Sequence, residues 1–480
     1  MVEDIVRIDI LNHADYCGEF RKDSYIPGLR KFYQAIESVR KNNPEATLLL
    51  DAGDEINRLL WYGKDVLDGM ELIGTDAWTL GNHEFDRGRK SLEDNIEYIC
   101  DKIPVLCANI VEKKTGKLVK NVRPHVILER KGVRIGIIGV TTEYTEKMVT
   151  YPNFADYETT DACQAIKENC DLLKDKADII IVLAHIGAFK KDNKQQGELI
   201  ELAEKIADLP VDLLIGGHTN GDITERYSGI LVNKGGFSGK SLIHTALYYD
   251  RNRGKVVRDE SEVIYPLEER YDIPDERVDG FVSKVLAPFD REINEVFAKA
   301  TEDIIMDYNG ESAQGNLFAD AVRWKAGTDF SYFNTTSCGP RIPKGDITRY
   351  IIQQAIYFNE PFCTSTITGK EIRELFETVL DPKIYSKNMN LYFSGIRVTV
   401  EKGKVVSLTR EDGSEIADDD ILTVATSEYM ASGGNDTRKI ANGRNWTSSS
   451  ILIHDAIREY LTMKKQADNS IDGRYRIISQ

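Results

Sequence analysis

An α/β protein of two domains is what this sequence predicts, and three observations predict it. Apolar stretches of strand length alternate with stretches of helical periodicity from Val6 to about Ile264, as in a layered α/β domain. Several apolar stretches end in Asn, His or Asp, and in open α/β sheets the ligand site lies beyond the carboxyl ends of the strands. The pattern changes near Leu267, and 480 residues are too many for one ordinary core. The boundaries read as a first domain over 1–266, a linker helix over 267–300 and a second, smaller α/β domain over 301–480.

Taken in order, Val6 to Leu11 reads as a strand that ends at Asn12-His13-Ala14-Asp15. Pro27 to Lys41 is a helix, with proline suited to the first turn. Thr47 to Leu50 is a buried strand ending at Asp51-Ala52-Gly53-Asp54. A helix near Lys64 to Ile73 precedes the strand Ala77 to Leu80, and a helix spans about Gly88 to Cys100. Val133 to Val140, Ile179 to Ala184 and Val211 to Ile215 are further buried strands, with helices near Ala162 to Lys174 and Gln195 to Ala207 between them. Ile230 to Ile264 reads as short strands with a basic turn at Arg251 to Lys255. Asp275 to Ala300 reads as one long, charged, amphipathic helix. The second domain opens with a helix over Gly315 to Lys325 and closes with one over Ser448 to Lys464.

Composition narrows the function. A hydrophobic content of 41% and a charged content of 29% fit a soluble globular protein, and no apolar run is long enough to span a bilayer. A net charge of −16 argues against a nucleic-acid polymer as ligand. It would also repel a phosphorylated substrate unless metal ions or placed arginines supply positive charge. The seven cysteines are scattered without a CxxC pair, and the acidic start Met1-Val2-Glu3-Asp4 lacks the regions of a signal peptide. Both point to a cytoplasmic protein if this is the native start; a chain trimmed of its leader would read the same.

The stretch around which the rest is organised is Gly81-Asn82-His83-Glu84-Phe85-Asp86. An amide, an imidazole and a carboxylate at one strand end build a core badly and a metal-assisted hydrolytic site well. A lone histidine at a strand end is ordinarily a satisfied polar side chain. Here, however, four of only seven histidines fall at strand ends: His13, His83, His185 and His218. That joint pattern is hard to explain as packing.

The order of an Asx/His pair, Gly53-Asp54, Gly81 to Glu84, Ala184-His185 and Gly216-Gly217-His218 resembles the calcineurin-like metallophosphoesterases. With the second domain included, the chain resembles the bacterial 5′-nucleotidase branch of that family. The resemblance implies a four-layer αββα sandwich holding two metal ions, joined by a helix to a substrate domain. It implies that Asp54 bridges the ions, that Asn82, His185 and His218 complete one, and that His13, Asp15 and Asn220 hold the other. It implies that His83 and Asp86 form the catalytic pair that stabilises the transition state.

The sequence departs from the family at two places in one ion's ligand set. The usual Asp-x-His is reversed to His13-Ala14-Asp15, and the last ligand, usually histidine, is Asn220. Exchanging imidazole for amide oxygen shifts preference from Zn²⁺ towards Mn²⁺, with Mg²⁺ as a further option. In the second domain the resemblance implies substrate contacts from Asn334, Arg341 and the stacking aromatic Phe358, while Gly339 stands where an arginine is expected. No aromatic follows Gly433-Gly434-Asn435-Asp436, and Trp446 is a candidate replacement. The expectation is therefore two-metal hydrolysis of phosphate esters, nucleoside 5′-monophosphates or related nucleotides first among them. A small phosphorylated molecule is the partner, with no nucleic-acid polymer and no membrane. The alternatives are a catalytically weakened nucleotide- or phosphate-binding protein, and a phosphatase or cyclic phosphodiesterase for another substrate.

Overall fold

The apolar stretches of the N-terminal part form the inner strands of two six-stranded sheets. In the first, β1 (Ile5–His13), β2 (Thr47–Asp51), β3 (Ala77–Thr79) and β4 (Val105–Leu106) run parallel. Leu242–Asp250 pairs antiparallel with β1, and Lys255–Ile264 pairs with it in turn. In the second, Val133–Thr141, Ile179–His185, Leu213–Gly216 and Ile230–Lys234 are parallel neighbours. The antiparallel strands His125–Arg130 and Ile223–Tyr227 close its edges. The computed structural model describes residues 4–56, 61–150, 152–191, 194–357, 360–381, 390–434, 437–441 and 444–478.

Alternation along the strands decides which face each side chain meets. Ile8, Ile10, Leu48 and Leu50 of the first sheet pack against Ile135, Ile137, Ile181 and Leu183 of the second, all fully buried. The odd-numbered residues of β1 face the other way, where helix α1 (Gly28–Arg40) buries Leu29, Phe32 and Ile36. Helices Ala162–Leu173 and Glu198–Lys205 cover the outer face of the second sheet, sharing a cluster with Val182 and Leu214. The layers therefore run helix, sheet, sheet, helix.

The chain divides into Met1–Pro288 and Phe289–Gln480. The stretch expected to be one helix over 275–300 is instead helix Glu276–Leu286, two short helical turns, and strand Val296–Ala300. Asp275 caps that helix through the N–H groups of Arg277 and Val278. Pro288 lacks the N–H that would continue the ladder, and Val296–Ala300 pairs with Gly345–Thr348. The helix thus falls in the first unit and the strand in the second.

In the second unit a five-stranded sheet has the order Leu391–Ser394, Phe330–Asn334, Ile421–Ser427, Pro361–Thr368, Thr447–Leu452. Ala313–Ala326 and Ile453–Lys464 cover one face, and Gly369–Val379 the other. The helix expected from Ser448 starts only at Ile453, because Ser448 and Leu452 are taken up in pairing with Cys363 and Pro361. The strand His125–Arg130 was not anticipated. Its apolar residues alternate rather than run together, so it reads as an edge with only Val126 and Leu128 packed on the core. Among the described residues, no helix is long and apolar enough to cross a membrane.

Candidate active site

The ladder between β1 and β2 continues past the strand ends. Ala52 N–H donates to His13 O and Asp15 N–H donates to Gly53 O, each at 2.8 Å. This sets Asp15 beside the Asp54 turn. Asp15, Asp54 and His218 all take left-handed backbone, with φ of 54°, 62° and 66°. Three non-glycine residues in that sparsely allowed region at one place mark a turn shaped for what its side chains do.

Asp54 Oδ2 lies 3.0 Å from His185 Nε2 and 3.8 Å from His83 Nε2. His185 Nδ1 is 2.7 Å from the carbonyl of Ala52. That bond fixes a proton on Nδ1 and makes Nε2 the nitrogen that a metal would take in place of its proton. His218 Nδ1 stands 3.2 Å from the same Nε2. Asp54, His185 and His218 each offer one donor atom, all within 4.8 Å of one another. Two imidazole nitrogens facing each other at 3.2 Å repel unless a proton or a cation lies between them. Asn82 is 1% exposed, and its Oδ1 has no partner among the described residues. The donor set, two nitrogens, a carboxylate and an orphaned amide oxygen, fits a divalent cation.

Burial works against charge here, yet the ion pair wins. Burial alone would raise the Asp54 pKa, but His185, His83 and His218 hold it well below the usual carboxylate range. Burial would lower that of His185, but Asp54, then Asp15 and Glu84, push it up to about 10. His83 Nδ1 is 2.7 Å from Asp86 Oδ2, so Asp86 orients the ring and leaves Nε2 pointing towards Asp54.

Glu84 and Lys234 hold the site together, and neither was given a role from sequence. Glu84 Oε2 accepts the N–H groups of Asp54 at 3.1 Å and Gly81 at 2.6 Å. Its Oε1 accepts those of Glu55 at 2.8 Å and Ile56 at 3.2 Å. Burial, then the charge of Asp54, push its carboxyl up to about 7, and the N–H donors pull against that. Lys234 is fully buried and donates Nζ to the carbonyls of Thr219 (2.7 Å), Asn220 (3.1 Å) and Gly221, fixing the loop after His218. A lysine ending the apolar run Ile230-Leu231-Val232-Asn233 was the available signal. Gly81 has no alternative: a Cβ there would stand 2.1 Å from Asp54 Oδ1.

The second expected ion fares differently. His13 lies on an odd position of β1 and turns away, edge-on to Phe32 of α1. Its donor group is Asp51 and Glu55, not Asp54. Asp15 does reach the site, where its Oδ2 accepts the His218 N–H at 2.9 Å. Asn220 is exposed. Asn12, one residue before His13, shares the even face with Ile8 and Ile10. Its amide is fully buried and, among the described residues, neither atom has a partner.

In the second unit, Asn334 is 2% exposed and its Oδ1 accepts the Ser337 hydroxyl at 2.5 Å. Arg341 pairs with Asp303. Phe358 lies outside the described residues. The missing arginine has a steric reason, since a Cβ on Gly339 would stand 2.1 Å from the Gln354 carbonyl oxygen. Trp446 is partly buried against the apolar cluster that holds Phe376 and Phe393. The aromatic against Gly433-Gly434 is Tyr429, whose ring would lie 2.4 Å from a Cβ on Gly434.

Residues 296–441 match the model of the 5′-nucleotidase C-terminal domain, and residues 20–220 that of the bacterial capsule synthesis protein PGA_cap. The chain is 24% identical to the 5′-nucleotidase of Vibrio cholerae, over 97% of this chain and 91% of that one. The chain is thus similar to 5′-nucleotidases along nearly its whole length, and its residues 296–441 match their C-terminal domain. It is also 28% identical to the endonuclease YhcR of Bacillus subtilis, across 82% of this chain but only a third of that protein, 33%. The crystal structure of a 5′-nucleotidase precursor from Thermus thermophilus shares the fold, with a TM-score of 0.86 at 20% identity over 99% of this chain and all of that one, 100%. Of the first motif His13-Ala14-Asp15, the structure places Asp15 at the Asp54 site and His13 away from it.

Proposed function

We propose that this chain hydrolyses phosphate esters of nucleotides, with nucleoside 5′-monophosphates as the leading substrate class and divalent metal ions as cofactors. The observation that carries this is the convergence of Asp54, His185 and His218 with the His83–Asp86 pair beside them. A divalent ion held by Asp54, His185, His218 and the Asn82 oxygen would polarise a phosphoryl oxygen and make its bound water a nucleophile near neutral pH. His83, oriented by Asp86, presents Nε2 to the charge that develops and to the leaving oxygen. Gly53 and Gly81 let the backbone approach closely enough for the turn to hold Asp54 there.

With His13 turned away and Asn220 exposed, the second catalytic position keeps Asp15 and Asp54 as its anchors. It is richer in oxygen and binds its ion more weakly, with Mn²⁺ preferred over Zn²⁺. Asn334, Phe358 and Arg341 remain the proposed substrate contacts, with Tyr429 added as the aromatic beside the glycine loop. The seven free cysteines support a reducing, cytoplasmic compartment. The test is release of inorganic phosphate from a panel of nucleotides as each metal is titrated. Release from nucleoside 5′-monophosphates that depends on added metal is the expected result. No release with any metal would favour a binding protein instead.

A further inference from the structure

We propose that His13, Asp51 and Glu55 form a second, structural divalent-metal site, separate from the Asp54 centre and on the opposite face of the first sheet. His13 ends β1 and Asp51 ends β2, and the two are directly paired in the parallel ladder. Glu55 follows on the turn that carries Asp54. The three are at most 1% exposed, and one donor atom of each lies within 4.8 Å of the other two. His13 Nδ1 stands 3.6 Å from Glu55 Oε1, too far for a hydrogen bond.

The unpartnered atoms point to an ion. Among the described residues, neither ring nitrogen of His13 and not Asp51 Oδ2 has a hydrogen-bond partner, and all are buried. Among the described residues, backbone takes one oxygen of each carboxyl, with Gly53 N–H donating to Asp51 Oδ1 at 2.9 Å and Tyr16 N–H to Glu55 Oε1 at 3.1 Å, and the two carboxyls face each other. Two buried carboxyls and an unbonded imidazole are costly as they stand. A divalent cation cancels two carboxylate charges and satisfies the orphaned nitrogen at once. Donors sharing an ion at about 2.0–2.2 Å stand at most about 4.4 Å apart, so a contraction of a few tenths of an ångström closes the set. One nitrogen and two carboxylates suit Zn²⁺ or Mn²⁺. Buried beneath Phe32 and Tyr16, with no exposed position for substrate, the site is structural. It would pin the ends of β1 and β2, the segments that lead directly into Asp15 and Asp54.

Crystals of the full chain grown with Mn²⁺ and measured at an anomalous wavelength test the proposal directly. The expected result is an anomalous peak among His13, Asp51 and Glu55, distinct from any peak at Asp54. Metal analysis after gel filtration supplies the second readout. Glu55→Gln and His13→Leu should each lose one tightly held ion per chain, while His218→Ala should keep that ion. Crystals with a peak at Asp54 and none at His13 would overturn the proposal and leave the catalytic reading standing, the carboxyl pair then sharing a proton instead. Unchanged metal content in a folded Glu55→Gln protein would overturn it too. If neither variant folds, the anomalous map of the unmodified protein decides.

Discussion

Replacing Glu84 by glutamine tests whether one carboxylate anchors the active-site turn. Its two oxygens accept four backbone N–H groups, from Asp54, Gly81, Glu55 and Ile56, at 2.6–3.2 Å. Glutamine keeps one acceptor oxygen. Whichever way the amide is turned, its NH₂ faces two of those donors, and two charge-assisted bonds are lost. Above about pH 7, where the Glu84 carboxyl is ionised, each bond is worth about 1.5–3 kcal/mol, and the change destabilises the first unit by about 3–6 kcal/mol. For a unit of a few hundred residues each kcal/mol lowers Tm by about 2–4 °C, so the variant melts roughly 6–24 °C lower. The same change loosens Asp54, because its backbone N–H is one of the four. Calorimetry of both proteins, followed by Mn²⁺ titration of each at a temperature where both are folded, reads the two effects separately. A variant that melts within about 2 °C of the unmodified protein and binds Mn²⁺ equally well would refute the anchor role.

Other perturbations have equally definite outcomes. His83→Ala should fold, keep its metal content and lose turnover by about 10²–10³, as expected for one group that acts on developing charge; full activity would remove His83 from the mechanism. Gly81→Ala should drive Asp54 out of place, since the new methyl meets Asp54 Oδ1 at 2.1 Å, and phosphate release and Mn²⁺ binding should fall together. Activity should rise on adding Mn²⁺ and respond less to Zn²⁺, read as phosphate release against free metal; two equally tight Zn²⁺ ions at the catalytic site would contradict this. His244 faces Asp9 at 2.7 Å and Glu262 at 2.9 Å; burial opposes its charge, but the carboxylates raise its pKa above the ordinary value. Its contribution to stability is therefore fully present below about pH 6.5 and lost as pH rises through the raised value. The Tm difference between the unmodified protein and His244→Gln should be largest near pH 6 and shrink towards pH 9, and a difference independent of pH would exclude the pairing.

How much of this was legible in the sequence depends on whether the deciding interaction was local. The inner strands were legible because each is a continuous apolar run, and the Asp54, His185 and His218 cluster because each residue sits just past such a run. His125–Arg130 was not, because an edge strand alternates and offers only Val126 and Leu128 to the core. The break in the helix expected over 275–300 was marked by Pro288, but the helical charge pattern on either side outweighed it. Glu84 and Lys234 act through backbone groups of other segments, and a sequence does not show which carbonyl or N–H a side chain will meet. The face of His13 was in principle countable. Ile8 and Ile10 point into the core between the sheets, so His13, at odd spacing from both, points to α1.

That parity also explains what the reversed first motif does. A ligand placed at position 13 is still on β1 and faces the helix layer. Position 15 lies beyond the strand, in left-handed backbone, and faces Asp54. The Asp15 carboxylate therefore stands on the catalytic side and the His13 imidazole on the far side. Two carboxylates on the catalytic side, Asp15 and Asp54, raise the negative charge there and favour a harder, oxygen-seeking ion. The imidazole on the far side would be an unexplained buried polar group if nothing met it, yet Asp51 and Glu55 stand ready at donor distance. A buried imidazole with two buried carboxyls at donor distance is the arrangement that the proposed structural metal site requires.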